Sequence, residues 1–316
     1  MSGVCYEVAG TIMTIAFFGP SNWCIGDTYR TLASRISNAV HFDWAVSHPS
    51  DTFARFDRVL TQAGEGTICL SRNYHVSQNK ILVVGHAASD LIAWLKSDGI
   101  REMVRYAGYG VVSETLAAES LAMGITRIPV VLPQGIDCGL YDCPLPETLK
   151  TVGYAAVWRR PNEFGVEIKR GELAQRAAEV VDLQFRSAAQ LPKQGEPYYQ
   201  SKITPPGEMP AFYRSVDAVI MPSLQEGGGM PMLEGAAAGR LCIGTPVGDF
   251  PRLAYEGMGI LAPLDAEAFV RFTAGRLQAF KEDVPLFQEQ CKFIKQNAQK
   301  RDWKNVIGDW ERFIGV

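Results

Sequence analysis

The chain has 316 residues, of which 47% are hydrophobic and 21% charged, with a formal net charge of −3. That balance excludes a disordered or fibrous chain, and the slight acidity gives no global basic field to draw nucleic acid or anionic lipid. The length suits two ordinary domains better than one.

The first 20 residues, MSGVCYEVAGTIMTIAFFGP, lack a basic start and are interrupted by Glu7. The run Ile12–Phe18 is of strand length and falls short of the ~20 apolar residues of a membrane span, so a cytoplasmic protein is expected. Apolar runs then alternate with helical patterns, the signature of parallel sheets covered by helices on both faces. The first half predicts strands at 12–18, 42–46, 67–71, 81–85, 109–112 and 129–132, with helices at 27–38, 51–62, 88–96, 99–106 and 114–123. The Pro- and Gly-containing stretch 133–150 closes that unit. The second half restarts with strands at 151–157, 183–188, 217–221, 241–244 and 259–261 and helices at 169–180, 208–214, 230–238 and 265–280. The division expected is 1–147, 148–283 and a helical tail, 284–316. In the tail Trp303, Val306, Ile307, Trp310, Phe313 and Ile314 form one apolar stripe, which packs on its own domain or crosses back to the first. The cysteines (Cys5, Cys24, Cys69, Cys138, Cys143, Cys242, Cys291) form no CxxC pair, which suits free thiols and no zinc site.

The chemistry concentrates in MPSLQEGGGMPMLEGAAAGRLCIGTPVGDFPRL, residues 221–253. A buried strand runs into a Pro-Ser turn, and Gly227, Gly228 and Gly229 open a helix near Met230. A glycine-opened helix at a strand's carboxyl end presents backbone N–H groups to an anion such as a pyrophosphate. Glu226 lies on the loop and Glu234 about one turn inside the helix, where a carboxylate can accept from vicinal hydroxyls. The ordered set Pro222, Ser223, Glu226, Glu234, the small-residue run Ala236–Gly239, then Thr245 and Gly248 resembles the signature of retaining GT-B glycosyltransferases of the family 4 type, glycosyl transferases group 1. The approach EMPAFYRSVDAVIMPS and the segment VVSETLAAESLAMGITRIPVVLPQGID, residues 111–137, are similar to the same family. Where many members carry a second Gly after the Thr-x-x-Gly turn, this chain has Asp249.

The resemblance implies two Rossmann-like doubly wound α/β domains facing across a cleft. It implies a hexosyltransferase of class EC 2.4 that moves a sugar from a UDP- or GDP-sugar to an acceptor hydroxyl, by a front-face, metal-independent mechanism. No cofactor is expected beyond that nucleotide-sugar substrate. The acceptor is a carbohydrate, a lipid-linked or a small molecule, with at most peripheral membrane contact. By the same resemblance Glu234 binds the ribose hydroxyls, Glu226 holds a hydroxyl of the transferred sugar, and N–H groups near Gly228, Gly229 and Met230 face sugar or phosphate. A departing diphosphate calls for fixed cations. Lys169, Arg159, Arg160 and Arg170 compete for that task. Gly26, before the first helix and with Asp27 as its cap, matches the N-terminal loop that closes over the diphosphate, and His86 stands at a strand's carboxyl end near the donor sugar. The rival readings are a nucleotide-sugar epimerase or hydrolase on the same fold, and a non-catalytic nucleotide-sugar-binding protein.

Overall fold

The computed structural model describes residues 13–21, 24–96, 103–158, 160–162, 164–189 and 204–316. The first half builds a parallel sheet from β1 (Ile15–Gly19), β2 (Ala39–Asp43), β3 (Arg58–Gln62), β4 (Ile81–Gly85), β5 (Gly108–Val111) and β6 (Val130–Val131), in the order β2-β1-β3-β4-β5-β6. Phe17 is paired with His41 on one side and Leu60 on the other. β1 and β4 are buried along their whole length, which is why IAFFG and ILVVG read as unbroken apolar runs without alternation. Helices α1 (Cys24–Arg35), α2 (Glu65–Arg72), α3 (Ala88–Lys96) and α4 (Glu114–Ala122) connect the strands. Ser113 caps α4 by accepting from the Leu116 N–H.

The second half repeats the plan. Strands β7 (Thr151–Tyr154), β8 (Gln184–Ser187), β9 (Ala218–Met221), β10 (Leu241–Gly244) and β11 (Ile260–Leu261) form a second parallel sheet, ordered β11-β10-β9-β7-β8. Its helices are α5 (Gly171–Val180), α6 (Met209–Arg214), α7 (Met230–Ala237), α8 (Phe250–Tyr255) and α9 (Ala266–Glu282). In both sheets the strand order reverses beside the first strand, next to β1 and next to β7, and the carboxyl edge at such a switch point is where open α/β sheets form their crevice.

Several segments differ from the sequence expectation. Residues 51–62 hold no helix, and 58–62 are instead strand β3, while the strand expected at 67–71 lies inside helix α2. Phe53, Phe56, Val59 and Leu60 imitate helical spacing, but the two phenylalanines are buried in an aromatic cluster with Phe18, Phe42 and Tyr74. Tertiary packing overrides the local pattern there. The short helix α8 has no counterpart in the sequence expectation. Of the helix expected at 99–106, residues 103–105 form one 3-10 turn and 97–102 lie outside the described residues.

Each sheet has its own apolar core. Helix α10 (Val284–Ala298) packs Phe287, Cys291 and Ile294 into the second core, whereas α11 (Trp303–Ile314) places Trp303, Val306, Trp310 and Ile314 in the first. The chain therefore passes between the halves twice, and the two passages touch. The Ile136 N–H donates to Arg301 O at 2.9 Å, the Trp303 N–H donates to Ile136 O at 3.0 Å, and Trp310 Nε1 donates to Pro133 O at 2.8 Å. Beside this seam Arg301 pairs with Asp249 at 3.1 Å and Glu256 at 2.8 Å. Asp249 thus serves a buried ion pair. Burial pushes its carboxyl up to about 6 against the pull of Arg301 and Arg252.

Candidate active site

The carboxyl edges of both sheets meet at the glycine loop 227–229. A Cβ on Gly227 would sit 1.6 Å from the carbonyl oxygen of His86, and one on Gly228 would sit 1.9 Å from Gln134 Oε1. The missing side chains therefore serve first to let the second domain touch the first. Gly229, in the left-handed region at φ 65°, is the N-cap of α7, which begins at Met230 with Pro231 in the first turn. The N–H groups that precede the helix ladder have no helical carbonyl to bond.

Glu226, one residue before that contact, accepts from Lys169 Nζ at 2.5 Å and from Ser223 Oγ at 2.7 Å, both on the same Oε1. The side chains of Lys169 and Glu226 are 13% and 11% exposed, so the pair stands at the edge of solvent. Thr245 Oγ1 donates to Ser223 O at 2.5 Å, and a Cβ on Gly248 would lie 2.9 Å from Glu226 Cβ. Gly248 also has φ +60°, so both backbone conformation and space require glycine beside that glutamate.

Glu234, on the fifth residue of α7, accepts from the Tyr213 hydroxyl at 2.7 Å. Burial pushes its carboxyl up to about 7, opposed by hydrogen bonds from Tyr213 and Tyr141 and reinforced by Asp27 across the crevice. Asp27 lies in the first turn of α1, paired with Arg30; the helix begins three residues earlier than expected, so Asp27 is not its cap. Gly26 is inside the helix, and a Cβ there would be 1.9 Å from Pro20 O.

The basic candidates separate. Lys169 reaches Glu226. Arg170 is buried at φ 49°, with Nε donating to Pro222 O at 2.7 Å and Nη1 to Leu264 O at 2.9 Å, so it ties the Pro-Ser turn to the segment before α9. Arg160 is exposed, its backbone N–H donates to Glu167 Oε1 at 2.6 Å, and its charge is felt by Asp90 of the first domain. Arg159 lies outside the described residues.

His86 is 5% exposed, and burial lowers its imidazole to about 3, so the ring is neutral. Its backbone N–H and that of Ala87 donate to Asp90 Oδ2 at 3.1 and 3.0 Å. Asp90 is itself pushed up to about 6, by burial, despite bonds from Gln62 and the two N–H groups. Sequence reasoning missed Tyr213, Tyr141 and Gln62, because the fold joins each to its partner and no local spacing marks it; it also passed over Asp90, whose bonds to the His86 and Ala87 N–H groups are local, whereas Ser223 lay within the motif already singled out.

Residues 187–279 match the model of the family described as Glycosyl transferases group 1. That match marks the chain as a glycosyltransferase. Glu226, Glu234, the glycine loop and helix α7 of this glycosyltransferase all fall inside the matched segment. Solved structures place the fold. Sucrose-phosphate synthase of Thermosynechococcus elongatus superposes with a TM-score of 0.68 at 14% identity, covering 95% of this chain and 98% of that one. HepE of Anabaena, in complex with UDP and glucose, gives 0.71 at 12% identity, covering 96% and 100%. TarM of S. aureus, in complex with fondaparinux, alpha-GlcNAc-glycerol and UDP, gives 0.61 at 14% identity, covering 84% of this chain and 57% of that one. The arrangement is the two-domain, Rossmann-like GT-B fold. Comparison with curated protein sequences finds no match. Among the described residues no helix is long and apolar enough to cross a membrane, and no three His, Cys, Asp or Glu side chains are grouped to hold a metal ion.

Proposed function

We propose that this glycosyltransferase moves a hexose from a nucleoside diphosphate sugar to an acceptor hydroxyl with retention of anomeric configuration and without a metal ion. The observation that carries the reading is the Lys169–Glu226 pair, held at 2.5 Å beside the glycine loop where the two domains touch. UDP is the favoured nucleotide, supported by its presence in the HepE and TarM complexes. The acceptor, a carbohydrate, a lipid-linked or a small molecule, is assigned to the first domain, 1–147, and the donor to the second, 148–283.

In this reading Lys169 exchanges its carboxylate partner for a diphosphate oxygen and stabilises charge as the leaving group departs. Glu226, released from the lysine but still held by Ser223, accepts from a hydroxyl of the transferred sugar. Glu234 receives the ribose hydroxyls. The bond from the anomeric carbon to the diphosphate breaks as the acceptor oxygen bonds to the same face, and the acceptor's proton passes to a phosphate oxygen of the leaving group. The chain supplies orientation and fixed charge, and no side chain acts as nucleophile. Arg160, at the mouth of the crevice, adds positive charge toward the same diphosphate.

The test is transfer by the purified protein from UDP- and GDP-sugars to a panel of sugar, glycerol and lipid-linked acceptors, with the product anomer read by NMR. The expected product retains the donor's configuration. Donor consumption independent of every acceptor would replace transfer by hydrolysis or epimerisation, and UDP binding without turnover would leave a nucleotide-sugar-binding protein.

A further inference from the structure

His86 and Tyr29 form a buried pair whose protons can be placed by counting. Tyr29 is 0% exposed, and its hydroxyl lies 3.0 Å from His86 Nε2 with the two rings edge to face. The tyrosine seat is built for this contact: a Cβ on Gly19 would lie 2.7 Å from the Tyr29 ring, and Phe17 flanks the ring at a centroid distance of 5.9 Å. His86 Nδ1 is buried and has no hydrogen-bond partner among the described residues.

A neutral imidazole carries one proton, and a tyrosine hydroxyl carries one. If Nε2 held the ring proton and donated to the tyrosine oxygen, the hydroxyl hydrogen and the bare Nδ1 would both be buried without partners among the described residues. If the hydroxyl donates to Nε2, the proton sits on Nδ1 and one group is unmet. Each unmet buried polar group costs free energy, so the second arrangement prevails. His86 Nδ1 then holds a buried N–H without an acceptor among the described residues, on the residue whose carbonyl meets Gly227.

We propose that Tyr29 is a positioning residue that fixes the Nδ1–H tautomer of His86, so that Nδ1 donates a hydrogen bond to an oxygen of the transferred sugar while Nε2, occupied by Tyr29, takes no proton during transfer. The location supports this, because the His86 carbonyl abuts Gly227, the residue after Glu226. The tautomer stands on the pair's own geometry, whereas the sugar oxygen as acceptor rests on the function proposed above.

Two measurements keep these separate. The first uses 15N-histidine-labelled protein without ligand, with the His86 signal assigned by its loss in His86→Gln. Long-range 1H–15N correlations are expected to show a protonated Nδ1 in the wild type, and Tyr29→Phe is expected to shift the signal toward protonated Nε2. A wild-type ring protonated on Nε2, or a tautomer unchanged in Tyr29→Phe, overturns the proposal. The second compares kcat/KM for the donor in His86→Asn, whose amide nitrogen falls near the place of Nδ1, and in His86→Gln, whose amide falls near that of Nε2. The asparagine variant is expected to stay within about tenfold of wild type and the glutamine variant to fall about a hundredfold, with Tyr29→Phe lowered about tenfold. A glutamine variant that outperforms the asparagine one overturns the role of Nδ1. Failure of all these proteins, wild type included, to transfer sugar, together with an Nδ1–H signal, would remove the proposed reaction and leave the tautomer supported.

Discussion

At Glu226 a single carboxylate oxygen serves two partners, Lys169 and Ser223, and the pair with Lys169 is close to solvent. On the proposed reading a diphosphate meets a lysine already positioned, and neither side chain is needed to build a core. Glu226→Ala and Lys169→Ala are each expected to lower kcat by at least a hundredfold while the thermal midpoint moves little; near-normal turnover in either variant would remove the role given to that residue. Glu234 behaves differently. Its folded-state value of about 7 lies above the ordinary 4.5, so between those limits the folded protein binds more protons than the unfolded chain, and stability falls as pH rises through that window. Glu234→Gln removes this dependence and is expected to raise stability at pH 8 by about 2 kcal/mol while weakening UDP binding. Urea titrations of the two proteins at pH 5 and pH 8 check it, and equal differences at both would refute it. Asp90 acts in the same sense and His86 in the opposite one, so the difference between variant and wild type isolates Glu234. The glutamates were legible because their spacing lies in one contiguous motif. Tyr29 with His86, or Tyr213 with Glu234, were not, because a pair that the fold assembles from separate elements leaves no trace in local spacing.

Among the elements, those with unbroken apolar runs, such as β4 and β9, could be read from the sequence because burial on both faces leaves no other interpretation. Segment 51–72 could not, since its phenylalanines belong to a cluster assembled from β1, β2 and Tyr74. The glycine loop shows how an element can be recognised for one reason and shaped by another. Its glycines look suited to a phosphate, yet Gly227 and Gly228 are pressed against His86 and Gln134. Gly227→Ala places a methyl group against a backbone carbonyl that no rotamer change can move aside. It is therefore expected to force the domains apart and lower kcat/KM about a hundredfold with unchanged circular dichroism. Full activity in that variant would show that the observed contact is not the working arrangement.

Over the whole molecule, the two sheets keep separate cores, but the sequence order does not respect them. Trp310 is fully buried in the first domain and hydrogen-bonded to Pro133. Trp310→Ala is expected to cost about 3–5 kcal/mol, read from urea unfolding of the full chain; a loss below about 1 kcal/mol would mean that α11 is dispensable to that core. The same crossing has a consequence for biosynthesis. Domains usually fold as they emerge, the earlier one first. Here the earlier domain waits for four apolar side chains that the ribosome adds only after the entire later domain, so its surface beside β5 and Pro133 stays uncovered during most of translation. A nascent chain halted before Trp303 should accordingly be a better client for chaperones than the finished protein, although it already contains every strand of both sheets.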